Sequence, residues 1–145
     1  PIRHDRYGIP VSARHPYVID RAMGRLVELP ASTTEAAGTN LPIAGGGYFR
    51  LLPYGWTRWG IQRVNQTEGR PVIFYLHPWE IDPDQPRLHV GLLSRVRHYR
   101  NLDQTETRLR QLLKDFSWGS LRSILPSFDA ERVPHGASVA LPYQW

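Results

Sequence analysis

The sequence predicts an α/β domain with a mostly parallel sheet, and three features carry that prediction. The run Pro71-Val72-Ile73-Phe74-Tyr75-Leu76, opened by Gly69, is almost continuously apolar, as a strand buried on both faces is. Before it, Leu52, Trp56, Trp59, Gly60 and Val64 recur at helical spacing. After it, Leu109, Leu112, Leu113 and Phe116 do the same. The order strand, helix, strand, helix, strand is that of parallel β/α units.

Taken in order, the first twenty residues, with Pro1, Gly8, Pro10 and Pro16, predict an ordered loop. Arg25-Leu26-Val27-Glu28-Leu29 is a short strand stopped by Pro30, and residues 31–40, small and polar, are a loop or a weak helix. Gly45-Gly46-Gly47 removes side chains where a backbone or a ligand must come close. A flexible turn and a substrate loop both fit it, but a phosphate-binding loop does not, because no Lys-Ser or Lys-Thr follows. Pro53 suits the first turn of a helix and Gly69 its stop. The aromatic stripe on that helix reads as core packing ahead of a sugar platform. The loop after residue 81 carries Asp82, Pro83, Asp84 and Pro86, with Glu80 and Arg87 expected to pair across it. Asp103 caps the clearest helix, and Glu106 completes a capping-box pattern three residues later. A short strand and turn over residues 116–125 then lead into a tail broken by Pro126, Pro134 and Pro142.

Composition narrows the function. At 145 residues with 41% hydrophobic content, the chain suffices for one core. The absence of cysteine excludes disulfides, thiolate metal sites and cysteine nucleophiles. No stretch reaches the length of a membrane helix, and no signal peptide opens the chain. The net charge of +5 comes from 18 basic residues, of which only Lys114 is a lysine. They are scattered and interspersed with acids, and the cluster Arg95-Val96-Arg97-His98-Tyr99-Arg100 has no nucleic-acid motif, which argues against a nucleic-acid partner. Pro1 in place of Met, with Met23 the only methionine, reads as a fragment of a longer protein.

The chemistry centres on His77 in Leu76-His77-Pro78-Trp79-Glu80, at the end of the apolar run. Sites in α/β folds are built just beyond strand ends. An imidazole there can transfer protons near neutral pH, although a strand-end histidine bonded to neighbouring backbone fits equally. None of the other histidines (His4, His15, His89, His98, His135) forms an i, i+4 metal pair, and no Gly-x-Ser-x-Gly elbow is present. Tyr48 and Arg50, just after the glycines, are chosen for substrate or loop-ordering contacts. Trp79 either walls a sugar pocket or packs against the scaffold.

Three segments, Gly45 to Pro53, Phe74 to Asp82, and Arg97-His98-Tyr99 with Asn101-Leu102, together with the opening Pro1 to Pro10, resemble polysaccharide deacetylases of the NodB-homology type. The likeness is to the branch associated with exosortase and exopolysaccharide clusters, and it covers residues 1–125, leaving 126–145 as an irregular tail. It implies the carboxyl-terminal portion of a distorted (β/α)7 barrel that removes N-acetyl groups from an amino-sugar polymer. In that family an aspartate and two histidines hold a metal, usually zinc, a second aspartate is the base, and a late histidine protonates the leaving amine.

By that resemblance His77 is the general acid, and Tyr48, Arg50 and Trp79 contact substrate. The chain departs from the pattern at Tyr75, where the family has leucine. The Asp-Asp pair, the His-x-x-x-His pair and the arginine- and proline-bearing motif are all missing, so no metal ligand is assigned. Zinc or another divalent metal is therefore expected in the intact enzyme and not on this chain alone, which should not deacetylate by itself. Unpaired barrel edges predict self-association or pairing with a missing amino-terminal half. A non-catalytic carbohydrate-binding or scaffold module, using Trp56, Trp59, Trp79, Tyr48 and Tyr54, is the alternative. Bacterial cytoplasm and periplasm both remain open.

Overall fold

The computed structural model describes residues 12–124 and 131–132, which form a mixed α/β arrangement of helices and small sheets in two compact units. The opening loop up to Val11 and most of the expected irregular tail lie outside the described residues. The first unit takes in residues 1–30 and 120–145. In it β1 (Tyr17–Arg21) and β2 (Gly24–Glu28) form an antiparallel hairpin from Tyr17 opposite Glu28 to Arg21 opposite Gly24. β2 is the strand expected before Pro30, while β1 occupies what was expected to be loop.

The second unit, residues 31–119, carries the site. Residues 31–40 belong neither to a loop nor to a weak helix. Most of them lie in a hairpin, β3 (Thr33–Ala36) with β4 (Thr39–Pro42). Its two-residue connection, Ala37-Gly38, has φ of 50° and 71°, the positive values that a type I′ turn needs. α1 (Gly46–Leu51) begins within the triple glycine, with Gly45 as its N-cap, so those residues start a helix where a turn or loop was expected.

α2 (Tyr54–Thr67) begins after Pro53, which is its N-cap, and is stopped by Gly69 at φ 62°. Its buried face is Thr57, Gly60, Ile61 and Val64, rotated from the expected stripe. A Cβ on Gly60 would overlap Ile43, so this contact decides which side of α2 faces inward. Trp59 is left exposed against Trp56, whose indole N–H donates to the Pro42 carbonyl at 2.9 Å.

The apolar run 71–76 joins neither a sheet nor a helix. At Ile73 the N–H donates to Ser32 Oγ (2.8 Å) and the carbonyl accepts from the Ser32 N–H (3.5 Å). A ladder needs a second chain running alongside, and none does so here among the described residues. Val72 and Phe74 nevertheless pack on the core formed by Ile43, Phe49, Ile61, Val64 and Leu112. A 3-10 turn (Pro78–Ile81) follows.

α3 (Leu92–Tyr99), for which no element was expected, buries none of its residues. α4 (Leu102–Asp115) is the clearest helix, as expected, but its N-cap is Asn101 in the left-handed region. Asp103 sits inside the first turn, and Glu106 pairs with Arg110 at 2.6 Å instead of completing a capping box. Leu112 is buried and Leu113 faces out, because Phe116 and Leu109 complete the inward side. The expected strand after Phe116 is absent; the chain passes to the one-turn α5 (Leu121–Ile124), in the first unit, and Leu125 lies outside the described residues.

β5 (Glu131–Arg132), also in the first unit, runs parallel to β1. A mostly parallel sheet is therefore not what the described residues form: their pairings are two antiparallel hairpins and this one short parallel contact.

Tyr54 links the start of α2 to the end of α4, its hydroxyl donating to Asp115 Oδ2 at 2.6 Å. Burial first, then this bond and the carboxylate's charge, push the phenol well above its ordinary value of 10.0. A raised folded-state pKa means that the contribution is complete below pH 10 and is lost as pH rises beyond it. Tyr54→Phe is expected to lower Tm at neutral pH, with the gap to wild type closing above about pH 10. Melts showing a constant gap would remove this bond as the cause.

Candidate functional site

Val72 and Phe74 pack on the core, while Tyr75, His77 and, from the 3-10 turn, Trp79 are exposed. The His77 ring stacks on Trp79 with centroids 4.2 Å apart and planes 19° from parallel. Tyr75 meets the His77 ring in an edge-to-face contact with centroids 5.9 Å apart. Tyr75 and Trp79 are each about half exposed, at 46% and 50%.

Behind the imidazole lies Glu80, 4% exposed. Pro78 starts the 3-10 turn that brings the Glu80 carboxylate back over residue 77. Glu80 Oε2 accepts from the His77 backbone N–H at 3.0 Å and lies 3.3 Å from His77 Nδ1. Its other oxygen accepts from Arg50 Nε at 3.4 Å and from an Arg50 terminal nitrogen at 3.2 Å. The carboxylate rests against the backbone of Gly46, where any Cβ would overlap it. Gly46 thus makes room for an internal carboxylate, while a Cβ on Gly45 would press on the Tyr75 ring and one on Gly47 would meet nothing.

Arg50, 3% exposed, uses every N–H it has. Two go to Glu80, and the others go to the carbonyls of Arg97 (2.9 Å), His98 (3.1 Å) and Arg100 (3.2 Å). Those carbonyls close the end of α3, where a cation is favoured. Arg108 does the same for α1, donating to the carbonyls of Phe49, Arg50 and Leu52, each at 3.2 Å. The site is tied to three helices by two arginines.

A carboxylate only accepts, so Nδ1 carries the hydrogen that faces Glu80. In the neutral ring Nε2 is then a proton acceptor, and in the charged ring it is a donor. Nε2 makes no hydrogen bond among the described residues, and the side chain is 48% exposed. The arrangement is an oriented imidazole able to take or give one proton beside an aromatic surface.

The family described as a domain of unknown function (DUF3473) matches residues 1–126. The chain belongs to the DUF3473 family. No curated protein and no solved structure matches it. In this DUF3473 domain His77 and Trp79 come together as one surface. Arg50 reaches that surface only from beneath, through Glu80, and its geometry is that of a loop-ordering residue. Tyr48 lies half-buried on α1, two residues before Arg50.

The expected Glu80–Arg87 pair does not form. Glu80 is held by Arg50, and Arg87 lies over the Tyr99 ring at 5.4 Å. Sequence reading missed Glu80 as the partner of His77, although Pro78 with an acid three residues after the histidine is a turn-start signal. Among the described residues no three His, Asp or Glu side chains gather as a metal site, and His77 Nδ1 already faces Glu80. These residues alone do not fit zinc.

Gly46→Ala tests the internal fit. Alanine would favour α1 by roughly 0.5–1 kcal/mol, but its methyl lands on a carboxylate fixed from both sides. Overpacking of about 1–3 kcal/mol is expected to win. Tm should fall, and a rise would mean that Glu80 moves aside freely.

Proposed function

We propose that this domain supplies the proton-donating part of a metal-dependent N-deacetylase acting on an amino-sugar polymer. The observation that carries the reading is His77, with Nδ1 on a buried carboxylate and Nε2 unengaged beside half-exposed Trp79. Domains of this family are often found in polysaccharide deacetylase proteins, which supports it further. The apolar segment 71–76, ladderless but packed on the core through Val72 and Phe74, supports its being a strand of a distorted (β/α)7 barrel whose neighbours lie elsewhere in the protein. Exposed Leu92 and Leu93 support a covering partner, either that other half or a second copy.

An amide nitrogen cannot leave as an anion. As the carbon–nitrogen bond breaks, its electron pair goes to nitrogen, and the Nε2 proton of the charged His77 goes to the same atom. Glu80 stabilises the imidazolium and keeps Nε2 outward. Trp79 gives a sugar ring a face to lie on. When bound, a divalent metal supplies the activated water in such a reaction; it and the base come from outside the described residues.

The test is acetate release from N-acetylglucosamine oligomers by the full-length protein that carries this domain, with and without His77→Ala. Release that disappears in the variant supports the reading, and undiminished release refutes it. The exposed Tyr75–His77–Trp79 surface favours a second reading, a carbohydrate-binding module without catalysis. Glycan binding that survives His77→Ala, with no acetate released by either protein, would select that one.

A further inference from the structure

Away from His77, a cavity of about 440 Å³ lies between residues 87–90 and α3, lined by Arg87, Leu88, His89, Val90, Arg95 and Tyr99. Its size falls in the range of small-ligand sites. We propose that it binds a sugar-sized ligand through an oxyanion, a carboxylate or a phosphate.

Charge around this cavity is unbalanced. Three arginines elsewhere in this unit face acids, Arg50 with Glu80, Arg58 with Asp115 and Arg110 with Glu106, while Arg63 and Arg108 donate to backbone carbonyls. Here two guanidiniums and an imidazole line one cavity, and no acidic side chain lines it. Arg87 is held over the neutral Tyr99 ring at 5.4 Å, a contact that fixes its position while leaving its N–H groups free. The side chains of Arg95 and His89 make no hydrogen bond or ion pair among the described residues.

Two guanidiniums lining one recess repel each other. An oxyanion between them removes the repulsion and matches the planar donor fork of arginine. The recess is also built, not incidental. The Tyr99 hydroxyl accepts from the Leu88 N–H at 2.9 Å, pinning the 87–90 loop to the end of α3, and its own hydrogen remains to donate. Exposed Leu88 and Val90 offer apolar wall for the C–H face of a ring. This inference does not rest on the deacetylase reading, because it concerns binding at a separate place.

The experiment is an NMR titration of the 145-residue chain at fixed ionic strength, following the amides of residues 87–96. The probes are a glucuronate oligomer, glucose 6-phosphate, an N-acetylglucosamine oligomer and inorganic phosphate. Saturable shifts with the glucuronate oligomer or the phosphosugar, absent with the neutral oligomer, are expected, and the responding probe identifies the oxyanion. Arg87→Gln with Arg95→Gln should weaken binding about tenfold or more. Both arginines are exposed, so an unchanged Tm will confirm that the variant is folded. No saturable shift, equal response to the neutral oligomer, inorganic phosphate binding as tightly as the sugars, or full binding by the variant would each overturn the proposal.

Discussion

Arg50→Ala is expected to destabilise the unit that holds the site by about 3–5 kcal/mol, the loss seen when one member of a buried ion pair is removed. Three consequences combine in it. Glu80 stays buried without its counter-charge, the carbonyls of Arg97, His98 and Arg100 lose their donor, and α3 loses its anchor. That last loss matters because α3 buries no side chain of its own. Arg50→Lys should recover only part, since one ammonium cannot reproduce a five-donor fork. Urea unfolding measures all of this. A double variant, Arg50→Met with Glu80→Leu, separates the pair's net worth from the harm of orphaning one charge. It should be clearly more stable than Arg50→Ala, because no uncompensated charge remains. A loss under about 1 kcal/mol in Arg50→Ala would place the pair with ordinary surface bridges and refute the anchoring role.

The same arginine explains what was legible in the sequence and what was not. α2, α4 and β2 were readable because periodicity and breakers such as Pro30, Pro53 and Gly69 act locally. The β3–β4 hairpin was not, because its turn is Ala37-Gly38, a weaker signal than Asn-Gly, and its strands are short and polar. The most apolar run, 71–76, made no strand, since a ladder is a property of two segments and a run of residues specifies only one. α3 escaped because Leu92, Leu93 and Val96 make a helical stripe that faces no core, diluted by four basic neighbours. At the site, His77 and Trp79 were found because they are neighbours in the chain. Glu80 was expected to pair with Arg87, seven residues away, whereas its real partner is Arg50, 30 residues away. Proximity in sequence favoured the wrong arginine, and burial of Glu80 required one that could be wholly enclosed.

On the proposed chemistry, His77→Ala in the full-length protein is expected to lower kcat by about 10²–10⁴-fold with KM little changed, the usual contribution of a positioned acid. The split follows from geometry: Trp79 remains to hold the sugar ring, while the proton needed at bond cleavage is gone. Glu80→Gln should have the same direction and a smaller size, roughly 10–100-fold, as for outer partners that orient a functional histidine. A glutamine amide can donate to Nδ1, which would switch the tautomer and leave Nε2 with the hydrogen in the neutral ring. That variant also leaves Arg50 without its counter-charge, so rates must be compared at a temperature where circular dichroism finds both proteins folded. Added imidazole should restore part of the rate to His77→Ala and none to Glu80→Gln, because only the first variant opens space beside Trp79. If His77→Ala retains kcat within about threefold, the acid lies elsewhere. The Glu80-bound imidazole would then be a structural wedge between Tyr75 and Trp79, holding the aromatic surface in shape.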